Sequence, residues 1–173
     1  MNRLLSALVF FLFIVLIANH AAASSDVAFP KDWKKWSSVN TPLTEIGGLP
    51  GCNADVSTLP PIYQETVATY CSAREGGPGK VAVLVNPYVL NVYEAHNGKY
   101  PDGANVILHL KDMKVLFVLG HKGGVAVYGV FTETGGDIAT KNGPLATKTC
   151  VNCHTAYKAF CVNGQCGRIV KKR

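Results

Sequence analysis

Residues 105–131, NVILHLKDMKVLFVLGHKGGVAVYGVF, decide the fold. Over 105–110 apolar residues alternate, putting Val106, Leu108 and Leu110 on one face, the period of a strand with one buried side. Lys111-Asp112 turns the chain into residues 115–119 (VLFVL), and Gly120-His121-Lys122-Gly123-Gly124 reads as a second turn into residues 125–131 (VAVYGVF). Upstream, residues 81–85 (VAVLV) form a further strand stopped by Asn86-Pro87. Three or four sequential strands joined by short connections imply an antiparallel sheet.

The flanks read differently. Residues 30–38 (PKDWKKWSS) begin like an amphipathic helix with Pro at its start. Residues 41–60 are an irregular connection. Residues 61–72 (PIYQETVATYCS) read as a helix with Ile62, Thr66, Thr69 and Tyr70 on one face, ended by Gly76-Gly77-Pro78-Gly79. Residues 89–93 either extend the preceding strand or form a short helical turn. The turn-rich link 96–103 holds Asn-Gly and Asp-Gly, and residues 135–144 form a loop. The expected class is α+β: an antiparallel β-sheet with N-terminal helices and a short C-terminal helix.

With 173 residues, 48% hydrophobic and 16% charged, the chain is neither disordered nor of low complexity. Seventeen glycines and nine prolines exclude a simple helical bundle. The net charge of +6 is mild, and half of it comes from Lys171-Lys172-Arg173, which is no nucleic-acid footprint. Residues 1–23 resemble a secretory signal: Arg3 precedes an apolar run over 4–18, and Ala21-Ala22-Ala23 supplies the small residues of a cleavage site. An uncleaved anchor is the alternative, but the apolar run falls short of the roughly 20 residues that span a bilayer. Cleavage leaves residues 24–173 as one domain with no further membrane segment. Export to a periplasm or equivalent lumen puts the cysteines in an oxidising compartment.

Six cysteines follow: Cys52, Cys71, Cys150, Cys153, Cys161 and Cys166. Cys150-Val151-Asn152-Cys153-His154 is C-x-x-C-H, the attachment pattern of one covalent haem c. Thiols three residues apart, on one helical turn, reach the two vinyl groups of a porphyrin, and His154 then supplies the proximal iron ligand. The competing readings are half of a zinc site, a redox C-x-x-C, or three structural disulfides. Cys161 and Cys166 flank an Asn163-Gly164 turn and are expected to pair. Cys52 and Cys71 either form another disulfide or supply a distal thiolate to the iron. Other distal candidates are His96, His109, His121, Met113 or no protein ligand. His96 and His121 fall in expected turns, where a solvated histidine is usual, and His109 alternates with the apolar face.

A C-terminal C-x-x-C-H after antiparallel strands fits neither the all-helical class I cytochromes c nor the four-helix cytochromes c′. With Pro30-Lys31-Asp32-Trp33, the segment 79–87 (GKVAVLVNP) and Tyr100-Pro101-Asp102-Gly103, the layout resembles the cytochrome P-460 / cytochrome c′-beta family. The resemblance implies a sheet packed on haem, His154 as proximal ligand, and a distal pocket that includes Tyr100. The family's enzymatic branch oxidises hydroxylamine and carries a haem-linked lysine shortly before the aromatic-Pro-Asp-Gly turn. Glu94 lies near that position here, which favours a non-enzymatic role. Cys71 precedes Tyr100 by about the separation of a distal pocket residue in the nitric-oxide-binding branch, making it the first choice of distal iron ligand, with Cys52 second. A subset, the heterodimeric NaxLS-type cytochromes of anaerobic ammonium oxidisers, is similar in size and has His/Cys-ligated haem. The resemblance thus implies a dimer, with a homologous and different subunit as one form, and the anammoxosome as the lumen.

These readings predict an exported monohaem cytochrome acting in redox or in binding nitric oxide or carbon monoxide, with a redox partner protein. The alternatives are plain electron transfer and P-460-type hydroxylamine or nitric oxide chemistry.

Overall fold

Strand periodicity does organise the chain between residues 81 and 132. The computed structural model describes residues 25–39, 49–95 and 99–157, together with the backbone of 161–162 and 165–166. The signal segment 1–23, His96, and the side chains of Cys161 and Cys166 lie outside the described residues.

Five strands, β1 (Ser37–Val39), β2 (Val81–Val85), β3 (Asn105–Leu110), β4 (Val115–Lys122) and β5 (Val125–Thr132), form one antiparallel sheet in chain order. Helix α1 (Pro61–Ala73) lies between β1 and β2 in the chain, α2 (Leu90–Ala95) between β2 and β3, and α3 (Thr147–Tyr157) after β5. The α+β class therefore holds. A two-stranded ladder, β6 (Cys161–Val162) with β7 (Gln165–Cys166), puts Cys161 and Cys166 at opposed backbone positions, as the Asn163-Gly164 turn predicts.

Two sequence readings are corrected here. Residues 30–38 are not a helix: a single 3-10 turn, Trp33–Lys35, leads into β1, where Ser37 pairs with Val85. Tertiary pairing with an exposed sheet edge outweighs the weak local helical signal. The β4–β5 turn is also shorter than Gly120–Gly124. Lys122 pairs directly with Val125, leaving the two-residue loop Gly123-Gly124 at φ 60° and 76°. Two left-handed residues give a turn whose twist matches that of the strands, and glycine adopts them without a Cβ penalty. The Asp102 carboxylate accepts hydrogen bonds from both glycine amides, at 2.9 and 3.0 Å. Strand β4 consequently carries His121 inside the sheet.

The sheet buries both faces. On one, Leu84, Ile107, Leu116, Val118 and Phe131 pack with Trp33 and Trp36, and residues Val27 and Phe29 cross over them. This strap is held at its start: the Ser25 hydroxyl donates to Asp137 Oδ1 at 2.9 Å, and Asp26 N–H donates to the Tyr128 carbonyl at 2.8 Å. Close approach needs Gly129, where a Cβ would stand 2.8 Å from Val27 Cγ1. Ile107 and Leu116 are fully buried. Each contributes roughly 1.5–3 kcal/mol by leaving water, so these two residues alone outweigh a typical exposed ion pair several-fold.

On the other face the sheet register aligns Val85, Val106, Leu119 and Tyr128 in one row, and Val83, Leu108, Phe117 and Val130 in the next. Helix α1 covers the second row through Val67 and Tyr70. Of the face expected from the sequence, Tyr70 is buried, while Ile62, Thr66 and Thr69 are half-buried beside it, and the two threonine hydroxyls donate to the carbonyls of Ile62 and Glu65. Helix α2 and α3 border the first row.

Candidate functional site

Helix α3 brings together the three residues of the C-x-x-C-H motif. Thr149 anchors its start by donating to the Gly143 carbonyl at 2.8 Å. Cys150 and Cys153 stand one turn apart as free thiols, and His154 follows one turn after Cys150 on the same side of the helix. Cys150 packs into the cluster formed by Val85, Val89, Tyr100, Ala104, Leu119 and Tyr128. The His154 ring lies 4.9 Å from the Tyr128 ring, at 51° to it. Opposite this wall, the Tyr157 hydroxyl donates to Glu65 Oε1 at 2.7 Å, clasping α3 to α1.

The environment of the thiols separates the competing readings. Burial pushes the Cys150 thiol up to about 11, and burial also raises Cys153, with Glu65 adding to the effect. Redox-active C-x-x-C pairs depend on a lowered thiol pKa, so this setting opposes that role. Among the described residues no group of three or more His, Cys, Asp or Glu side chains could hold a metal ion. Two half-buried neutral thiols beside an apolar wall, followed by an imidazole, do suit covalent attachment of a porphyrin.

Cys52 and Cys71 are joined as a disulfide, with Cα atoms 5.6 Å apart. Both sit in the cluster under α1 with Tyr70, Met113 and Val130, not in the Cys150 cluster. The expectation that Cys71, or else Cys52, gives the iron a thiolate is therefore corrected: the sulfurs are spent on each other. Met113 is buried in the same cluster beneath α1.

The histidines are also redistributed. His109 faces neither solvent nor the Cys150 cluster. It is buried on the opposite sheet face, with Nε2 2.6 Å from Glu133 Oε1 and its ring 4.9 Å from Trp33. It lines a groove of about 300 Å³ with Trp33, Trp36, Lys111 and Glu133. His121 is 4% exposed, not solvated. It stands two residues beyond Leu119 on the same face of β4, with its ring 5.0 Å from that of Tyr100. Among the described residues, neither ring nitrogen of His121 nor the Tyr100 hydroxyl has a hydrogen-bond partner, though all three atoms are buried. Each such atom costs about 1–3 kcal/mol when left unmatched.

Tyr100 thus meets Cys150 in one cluster, and burial raises its phenol well above the ordinary tyrosine range. Burial likewise lowers His121, opposed by the Asp102 carboxylate, so its imidazole is held neutral. Sequence reading counted His121 among several distal candidates but set it in a solvated turn, because Gly120-His121-Lys122-Gly123-Gly124 looks like one. The available signal was the alternation Phe117, Leu119, His121, which continues the buried face by two residues.

No family model, curated protein or solved structure matches this chain. The functional reading accordingly rests on the residues themselves. Among the described residues no helix is long and apolar enough to cross a membrane.

Proposed function

We propose that residues 24–173 form an exported monohaem c-type cytochrome of the cytochrome P-460 / cytochrome c′-beta type, with haem c bound through Cys150 and Cys153 and His154 as proximal iron ligand. The observation that carries this reading is the state of the motif. Its two cysteines are free and one helical turn apart while Cys52 and Cys71 are oxidised, and Cys150 is already inserted in an apolar cluster. Such a cluster suits a porphyrin plane better than it suits water, and would shield bound haem from solvent.

When bound, haem iron supplies one-electron redox chemistry and an axial position where nitric oxide or carbon monoxide can bind. The chain's own residues orient and insulate it. His154 is held by the rigid backbone of α3 and braced by Tyr128. Val89, Leu119 and Tyr128 supply the apolar contact, and Tyr100 a polar end. Glu94, at the position where the enzymatic branch carries its haem-linked lysine, supports a redox or gas-binding role over hydroxylamine oxidation. A redox partner protein and a dimer, with itself or with a homologous subunit, complete the proposal.

The test is expression with export and a haem-attachment system, followed by intact mass and absorption spectra. The expected product is red and heavier than residues 24–173 by one haem. A colourless product of polypeptide mass would overturn the reading.

A further inference from the structure

We propose that His121 is the second axial ligand of the haem iron, so that the resting protein is six-coordinate with two imidazoles. The inference rests on the proposed haem attachment at Cys150 and Cys153, and adds a metal ligand from the sheet.

The argument starts from what is buried without a partner. His121 Nδ1 and Nε2 are both shielded from solvent and lack a hydrogen-bond partner among the described residues. Native proteins rarely leave both nitrogens of a buried imidazole unmatched, and such a group asks for a ligand. Its placement says which one. His121 pairs with Ala126, two residues from Tyr128, and Tyr128 carries the His154 ring. Leu119, between them on the sheet face, and Tyr100, against the His121 ring, belong to the cluster that holds Cys150. The two imidazoles therefore border one apolar wall from opposite supports, a helix and a strand.

Among the described residues, the other donors considered for this position are engaged elsewhere; His96 lies outside them. Cys52 and Cys71 are bonded to each other, Met113 lies beneath α1, and His109 pairs with Glu133 on the far face of the sheet. The Asp102 carboxylate, fixed by the Gly123 and Gly124 amides, sits close enough to His121 to act on it electrostatically. A six-coordinate resting state also means that carbon monoxide or nitric oxide must displace His121 to reach the iron.

The test uses the exported, haem-loaded protein and its His121→Ala and His121→Met variants. The parent is expected to give a low-spin ferric spectrum with nitrogen ligation on both sides. His121→Ala is expected to become high-spin, and added free imidazole to return it to low-spin. His121→Met keeps a side chain that can ligate and fill the space, and is expected to raise the reduction potential, as thioether ligation does. A high-spin parent, a low-spin His121→Ala variant, or a potential unmoved by His121→Met overturns the assignment while leaving covalent attachment intact. A parent that carries no haem by mass overturns the attachment and this inference together.

Discussion

The imidazole of His154 and the phenol of Tyr128 face each other at 4.9 Å, tying the only histidine of α3 to the last strand of the sheet. Burial holds the Tyr128 hydroxyl protonated far above neutral pH. The residue that follows the two free cysteines thus has a fixed, uncharged wall on one side. That arrangement gives the motif a direction: thiols on one turn, and an imidazole held against the sheet.

Attachment through two thiols has a stepwise signature. Cys150→Ser and Cys153→Ser should each keep haem through one remaining thioether, and the double variant should lose all covalently bound haem. Intact mass after acid denaturation measures the outcome. Retention of covalent haem by the double variant would place the link elsewhere.

The Cys52–Cys71 disulfide closes a sequence separation of 19 residues. Its loss should cost about 3 kcal/mol through the added freedom of the unfolded chain. Chemical denaturation of Cys52→Ala and Cys71→Ala checks this, and both variants should keep the parent ferric spectrum. A change in spin state in Cys71→Ala would mean that the sulfur reaches iron.

Tyr70 gives a pH dependence. Burial raises its phenol from 10.0 to about 12, and its hydroxyl donates to the Pro50 carbonyl. The unfolded phenol ionises at its lower value, so the stabilising contribution is whole below pH 10 and is lost as pH rises through about 12. Tyr70→Phe should be less stable near neutrality, because it leaves the Pro50 carbonyl unmatched, and should lose less stability across that alkaline window. Equal alkaline slopes for the two proteins would contradict the assignment.

Gly129 reports on the strap formed by residues 25–29. A methyl there meets Phe131 Cε2 at 2.7 Å and Ser25 Oγ at 2.8 Å. Gly129→Ala should cost about 1–3 kcal/mol by overpacking, and should expose the strap to limited proteolysis. An unchanged melting temperature with an unchanged cleavage pattern would show that the strap yields freely.

The sheet was legible because its strands alternate. Val106, Leu108 and Leu110 share a face as their spacing requires, and β2 keeps the bounds that Asn86-Pro87 suggests. The C-x-x-C-H motif was legible because its meaning is local, three residues on one helical turn. What escaped was non-local. Trp36, Ser37 and Ser38 look helical until the edge of β2 is present to pair with them. The bond between Cys52 and Cys71 depends on where a loop meets the end of a helix, which spacing alone does not encode. His121 was set in a turn by two glycines that do turn the chain, but the turn begins at Gly123, three residues after the Gly120 that its context implied.

Four cysteine sulfurs in the described part of this chain fall in two settings: Cys52 and Cys71 are joined, and Cys150 and Cys153 are not. Under the proposed attachment, export would have to oxidise the first pair and spare the second. Premature oxidation between Cys150 and Cys153 would consume the nucleophiles that a porphyrin vinyl group needs. Yield of finished protein would then follow the order in which an oxidant and a haem-delivery enzyme meet the nascent chain.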